Sequence, residues 1–196
     1  MHPIERLRYV ARSGTAPDRI LVAESMPALA QFSSEPNALL VSLRQLIARQ
    51  PDSPGLLCLA ANMVNALDSL EAGYEVVDAF DADRTADIAE AVAIAEAGGT
   101  DVIDSIASGP GEILCPLGTA AWIDSARAAG RSAIVVTPYG SRLPRLLWAA
   151  FKGRNHDPER HETIDLDRFD NVLSADGIAE LTSWVPDCPD VAELAR

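Results

Sequence analysis

Apolar residues recur at helical spacing through the first hundred positions, and the rhythm changes after Gly99. Between Pro3 and Arg12, Ile4, Leu7, Val10 and Ala11 fall on one side, which predicts a helix. Pro17 and Asp18 open a second helix, with Ile20, Leu21 and Met26 beginning its apolar side and Pro27 predicting a kink or restart. "SSEPNALLVSLRQLIARQ" predicts a third, with Ser34 as N-cap and Leu39, Leu40, Leu43, Leu46 and Ile47 as its apolar face. "PDSP" breaks the chain at 51–54. "GLLCLAANMVNALDSL" is apolar almost all round and predicts a buried helix. Asp68–Phe80 and Thr85–Ala97 complete the series, with a break at "DADRT", Thr85 as a cap and Gly98-Gly99 as a stop.

Beyond Gly99 the period shortens. "TDVIDSIAS" is β-compatible, "GPGE" turns, and "ILC" follows. "TAAWIDSARAAG" reads as a helix with a glycine stop. "SAIVVTP" is rich in β-branched residues and suits a strand buried on both faces. Strand, helix and strand in that order is the pattern of a parallel sheet. "LPRLLWAAFKGR" predicts another helix, "ETIDL" and "DNVLS" two more strands, and "GIAELTSWV" a closing helix. The expectation is an α/β protein: a helical N-terminal domain over 1–97, then a reduced Rossmann-like parallel-sheet domain over 98–196. So small a sheet must lean on the helical half or on a partner.

Composition narrows the partners. Of 196 residues 48% are hydrophobic but only 5% aromatic, so the core is built from Leu, Ile, Val and Ala. A formal charge of −13 repels nucleic acid phosphates, and no nucleic acid partner is expected. No apolar run has bilayer length, so no membrane partner is expected either. Three cysteines, Cys58, Cys115 and Cys188, make no CxxC, and the opening MHPIERLRYV lacks the apolar core of a signal peptide. Both features fit a reducing cytoplasm.

Candidate chemistry gathers around "SGPGEILCPLGTAAW", residues 108–122. Gly118 and Thr119 sit directly before a helix, whose first free amides, Thr119 to Trp122, could cradle an anion. The other reading is an ordinary tight turn with Thr119 as N-cap. No Walker lysine and no GxGxxG is present. Asp101 and Asp104 flank the first strand and Glu112 follows the turn, as carboxylates of an active site or as solvated charges. Cys115 has a depressed pKa if it is exposed near the helix start, and is otherwise simply core. Cys58 reads as core and Cys188 as tail. "NHDPERHE" holds His156, Asp157, His161 and Glu162 at a spacing unlike HExxH, so it reads as a polar loop and no metal site is expected. Arg142, Arg145, Lys152 and Arg154 form a basic stretch after "SAIVVTP", at the sheet end where a phosphate would lie.

The stretch "DVIDSIASGPGEILCPLGTAAWIDSARAAGRSAIVVTPYGSRLP" resembles the C-terminal domain of the initiation factor 2B-like family. That family holds translation initiation factor 2B alpha, beta and delta subunits and sugar-phosphate isomerases such as methylthioribose-1-phosphate isomerase. The matching elements are Val102-Ile103, Gly111, Leu117-Gly118-Thr119, Ala120, Gly130 and Ile134–Pro138, with "FDNVLSADGI" similar to the closing segment. "IERLRYVARSG" and its helices are similar to the helical domain of shorter bacterial relatives. The departures are polar. The family's catalytic Asp falls on Ser105, beside Asp104, and its Asn-Lys pair falls on Cys115 and Pro116. A βαβ region that the family places ahead of that Asp has no counterpart here.

The resemblance implies two functions. One is a non-catalytic binding or regulatory protein, a homodimer through its α/β domain, sensing a phosphorylated small molecule at Gly111, Gly118, Thr119, Ala120 and Arg142, with no cofactor. The alternative is an aldose–ketose isomerase of a ribose or methylthioribose phosphate, with Asp104 as proton shuttle and Cys115 as acid/base. The isomerase requires Asp104 and Cys115 to meet in one pocket.

Overall fold

The computed structural model describes residues 3–13, 16–82, 85–155, 157–174, 177–181 and 184–195. His156, the Ala175-Asp176 turn and the side chains of Ile4 and Thr85, singled out above, lie outside the described residues.

Six helices come first: α1 (Pro3–Val10), α2 (Asp18–Leu29), α3 (Pro36–Arg49), α4 (Pro54–Asn65), α5 (Ser69–Ala82) and α6 (Thr85–Ala97). Pro27 does not restart α2. It sits inside the last turn, and the chain then tightens into a 3-10 turn, Ala30–Phe32. The N-cap of α3 is Glu35 rather than Ser34, because Pro36 at the first helical position fixes the start one residue later. α4 is buried on almost every side, as its uninterrupted apolar run predicts. Gly99, at φ +82°, ends α6, and Thr100 N–H returns to the Ala95 carbonyl.

The second half is mixed α/β, with more sheet than the sequence suggests. Strands β1 (Asp101–Asp104), β4 (Ala133–Val136) and β6 (Asn171–Ser174) pair in parallel, and β7 (Gly177–Ala179) adds antiparallel to β6. Between them run helix α7 (Thr119–Ala128) and helix α8 (Arg145–Asn155). A second, antiparallel sheet is built from β2 (Ala107–Gly109), β3 (Glu112–Pro116) and β5 (His161–Asp165). Two expectations are corrected here. "TDVIDSIAS" divides into β1 and β2, which belong to different sheets. "GIAELTSWV" begins as a strand, because Gly177 at φ +100° turns the chain straight back onto β6.

Alternation within strands stacks the layers. In β4, Ile134 and Val136 face α6, where Ile88, Ala91 and Val92 cover them. Ala133 and Val135 face the other way, into a core shared with Ile113 and Cys115 of β3, Ile164 of β5 and Ile123 of α7. Leu114, between Ile113 and Cys115, points to the opposite side of its sheet and joins the large core of α2–α4 and α8. The antiparallel sheet is thus an inner layer, with the parallel sheet on one face and helices on the other. The large core runs from Leu57 of α4 to Leu147 and Phe151 of α8, across the boundary expected at residue 97.

The joint between α4 and the loop after β4 is tight. A Cβ on Gly140, at φ +82°, would lie 2.5 Å from Phe80 Cζ and 3.2 Å from the Cα of Gly55. Tyr139 stands edge-on to Phe80, with ring centroids 5.2 Å apart. Gly140→Ala therefore loses stability by about 1–3 kcal/mol, from overpacking and a left-handed backbone together. Denaturant unfolding monitored by circular dichroism checks this, and an unchanged midpoint contradicts it.

Candidate functional site

The turn into α7 has the backbone that the sequence suggests. Gly118 takes φ +96° and ends one residue before the helix. One of the amides behind it is already taken, however. Ala120 N–H donates to Glu162 Oε1 at 2.9 Å, and the Thr119 hydroxyl donates to the Pro116 carbonyl at 2.7 Å. Glu162 reaches that place because it lies in β5, directly opposite Cys115 of β3. It is a strand residue and not part of a polar loop. At the expected anion socket of Gly118, Thr119 and Ala120, the Ala120 amide is thus held by a carboxylate of the same chain, and a phosphate there would meet like charge.

Cys115 is fully buried. Burial first, and the Glu162 carboxylate second, push its thiol up to about 12, so it is protonated at neutral pH. Asp104 is exposed at the carboxyl end of β1. Strand alternation puts Asp104 on the α6 side of the parallel sheet with Val102, whereas Cys115 lies beneath the other face with Ile103. The sheet separates the two, so the pairing an isomerase needs is not formed. Asp101 opens β1 at its amino end and pairs with Arg131 at 2.7 Å.

Two members of the basic stretch, Arg142 and Lys152, are also internally partnered. Arg142 binds Asp187 through Nε at 2.8 Å and a second guanidinium nitrogen at 2.6 Å. Asp187, whose side chain is 1% exposed, also accepts from the amides of Gly140 and Arg142, at 2.8 and 3.0 Å. Burial raises its pKa, against the downward pull of Arg142 and the two amides. Arg142 therefore anchors the C-terminal tail. Lys152 pairs with Glu112, which also accepts from Trp148 Nε1 at 3.1 Å, and these two donors hold the Glu112 carboxyl below its usual range. Gly111, at φ +82°, makes the β2–β3 turn and offers its carbonyl to Leu166 N–H at 2.9 Å. Trp148 lies against Gly109, where a Cβ would come within 2.1 Å of the indole.

One group at the carboxyl ends of the parallel strands is unsatisfied. Thr137, just beyond β4, is fully buried and its Oγ1 has no hydrogen-bond partner. Next to it, the Ser105 hydroxyl donates to the Val136 carbonyl at 2.6 Å, and Thr137 N–H donates to the Leu173 carbonyl. Open α/β sheets place ligands at this edge. Sequence reasoning passed over Thr137, whose only signal was its position after an apolar strand. Among the described residues, no three His, Cys, Asp or Glu side chains cluster to hold a metal ion. None of the helices there is long and apolar enough to cross a membrane.

No protein-family model matches the chain, and no curated protein matches its sequence. Solved structures do match in shape. The translation initiation factor eIF-2B of Pyrococcus horikoshii OT3 superposes with a TM-score of 0.66 at 8% identity, covering 91% of this chain and 97% of that one. eIF2B beta from Chaetomium thermophilum gives 0.59 at 12% identity, over 91% and 86%. A chain of the tetrameric eIF2B-beta2-delta2 complex from C. thermophilum gives 0.59 at 11%, over 91% and 90%. The chain has the eIF2B-like fold, helical part and α/β part together.

Glu162→Ala removes the acceptor for Ala120 N–H and costs about 0.5–2 kcal/mol of stability, as loss of a helix cap does. Chemical denaturation reads the change. An unaltered unfolding curve shows that the contact is idle.

Proposed function

We propose that this chain, built on the eIF2B-like fold, is a non-catalytic binding or regulatory protein that works as a homodimer. The observation that carries this reading is the separation or occupation of the three groups that the isomerase reading assigns. Cys115 is sealed between two sheets, Asp104 stands on the far side of one of them, and the Ala120 amide is already bound to Glu162. Aldose–ketose isomerisation needs an acid and a base at adjacent carbons of one substrate, and these two side chains have no common face.

Sensing of a phosphorylated metabolite at Gly118–Ala120 is not part of this reading, because Glu162 must first leave. The dimer rests on two supports. One solved neighbour with this fold is a chain of a tetrameric complex. The α/β half of this protein also leaves Leu117, Trp122, Leu146, Ile178 and Val185 exposed, apolar surface that a second copy would cover.

Incubation with ribose 1,5-bisphosphate or methylthioribose 1-phosphate, followed by ketose detection, should give no turnover above buffer. Sizing chromatography coupled to light scattering should give twice the chain mass. Turnover that disappears in Asp104→Asn would overturn the non-catalytic reading, and a monomer at all concentrations would overturn the dimer.

A further inference from the structure

The helical half carries a groove and a ridge of opposite character. The groove, about 640 Å³, runs between α1 and α3. Its walls are apolar, with Leu7 and Ala11 on one side and Val41 and Leu46 on the other, and Phe32 at one end. Val41 is 53% exposed, so the groove is uncovered in the single chain. Arg8, Arg12 and Arg49 stand along it. Arg8 pairs with Glu5, while no ion pair engages Arg12 or Arg49 among the described residues. Arg12 and Arg49 therefore put two positive charges on the rim of the groove that no acidic side chain among the described residues neutralises.

The ridge is the outer side of α5 and the turn before it. Leu67 is fully exposed, Leu70 is 37% exposed and Tyr74 is 51% exposed. Leu70 and Tyr74, four residues apart, line one stripe of the helix, and Leu67 stands in the turn just before it. Glu71, Glu75 and Asp78 flank that stripe and are exposed. Nothing in the chain covers these residues, although the inner side of α5 packs Val76 and Phe80 into the large core.

We propose that the α5 ridge of one copy docks into the α1–α3 groove of another. Leu67, Leu70 and Tyr74 fill the apolar channel, and Glu71 and Glu75 meet Arg12 and Arg49. This is the helix-in-groove mode of recognition, in which anchors spaced three and four residues apart enter an apolar trough and charges on the rim set the register. The contact is heterologous, so its geometry either closes a ring or propagates a chain of copies. It lies in the helical half and is separate from the dimer proposed through the α/β half, which the substitutions below leave intact.

Sedimentation velocity on the full chain tests it with two double variants, Arg12→Glu with Arg49→Glu, and Glu71→Arg with Glu75→Arg. All four positions are exposed, and circular dichroism confirms that each variant folds. The wild type should form concentration-dependent species larger than either variant alone. Each variant should weaken that association by about tenfold or more, as loss of close interfacial charge pairs does. An equimolar mixture of the two should regain two productive pairings, the native ridge of the first variant in the native groove of the second and the charge-reversed ridge of the second in the groove of the first. General repulsion gives a different result: the second variant lowers the net negative charge, so repulsion alone predicts that it associates more strongly than the wild type. Stronger association of that variant, a mixture no larger than its components, or a wild type no larger than the variants would each overturn the proposal.

Discussion

Carboxylates occupying main-chain amide sockets hold this molecule together and decide what it can bind. Helices and turns leave unpaired N–H groups that attract anions. Here the chain supplies the anions itself. Glu162 takes Ala120 at the start of α7, and Asp190 takes Leu146 and Leu147 at the start of α8. Asp18 takes Gly55 in the first turn of α4, and Asp187 takes Gly140 and Arg142 in the loop after β4. Hydrogen bonds to a charged group contribute about 1.5–3 kcal/mol each. The acidic excess thus also serves as internal stitching. A phosphate seeking any of these amides meets a carboxylate already in place.

The same contacts fix the architecture. Asp18 ties α2 to α4, and Asp187 and Asp190 tie the tail to the α/β half. The antiparallel sheet then acts as a spacer between the parallel sheet and the helices. Its strand β3 serves both cores by alternation, with Leu114 on one side and Ile113 and Cys115 on the other. That placement seals Cys115 and separates it from Asp104. Structural economy and the separation of Cys115 from Asp104 have one cause: the residue next to the turn is needed as packing.

Legibility followed sequence distance. Periodicity predicted the six N-terminal helices, the buried strand "AIVV" and the turn at Gly118, because each rests on neighbours within a few residues. The partners of that turn were hidden. Glu162 lies 42 positions after Ala120, and Asp187 lies 45 after Arg142. A local reading sees a vacant helix start where the fold places a cap. The second sheet was missed for a similar reason. "VIDSIAS" reads as one strand, and only the pairing of β2 and β3 with β5 shows that it changes sheets at Ser105 and Ile106. "GIAELTSWV" carries apolar residues at helical spacing, and the hairpin with β6 overrides them. The resemblance drawn from residues 101–138 led to the right fold, because glycines and apolar runs encode backbone shape. Such runs say less about the site, where polar side chains and their distant partners matter.

The most direct measurement is a titration of the isotope-labelled protein with inorganic phosphate, following the backbone amide resonances of Ala120, Gly140, Arg142 and Leu146. If the chain's own carboxylates hold these groups, the resonances stay where they are up to millimolar phosphate. A saturable shift at any of them, with a dissociation constant at or below the millimolar range, would show an open anion site and contradict the account.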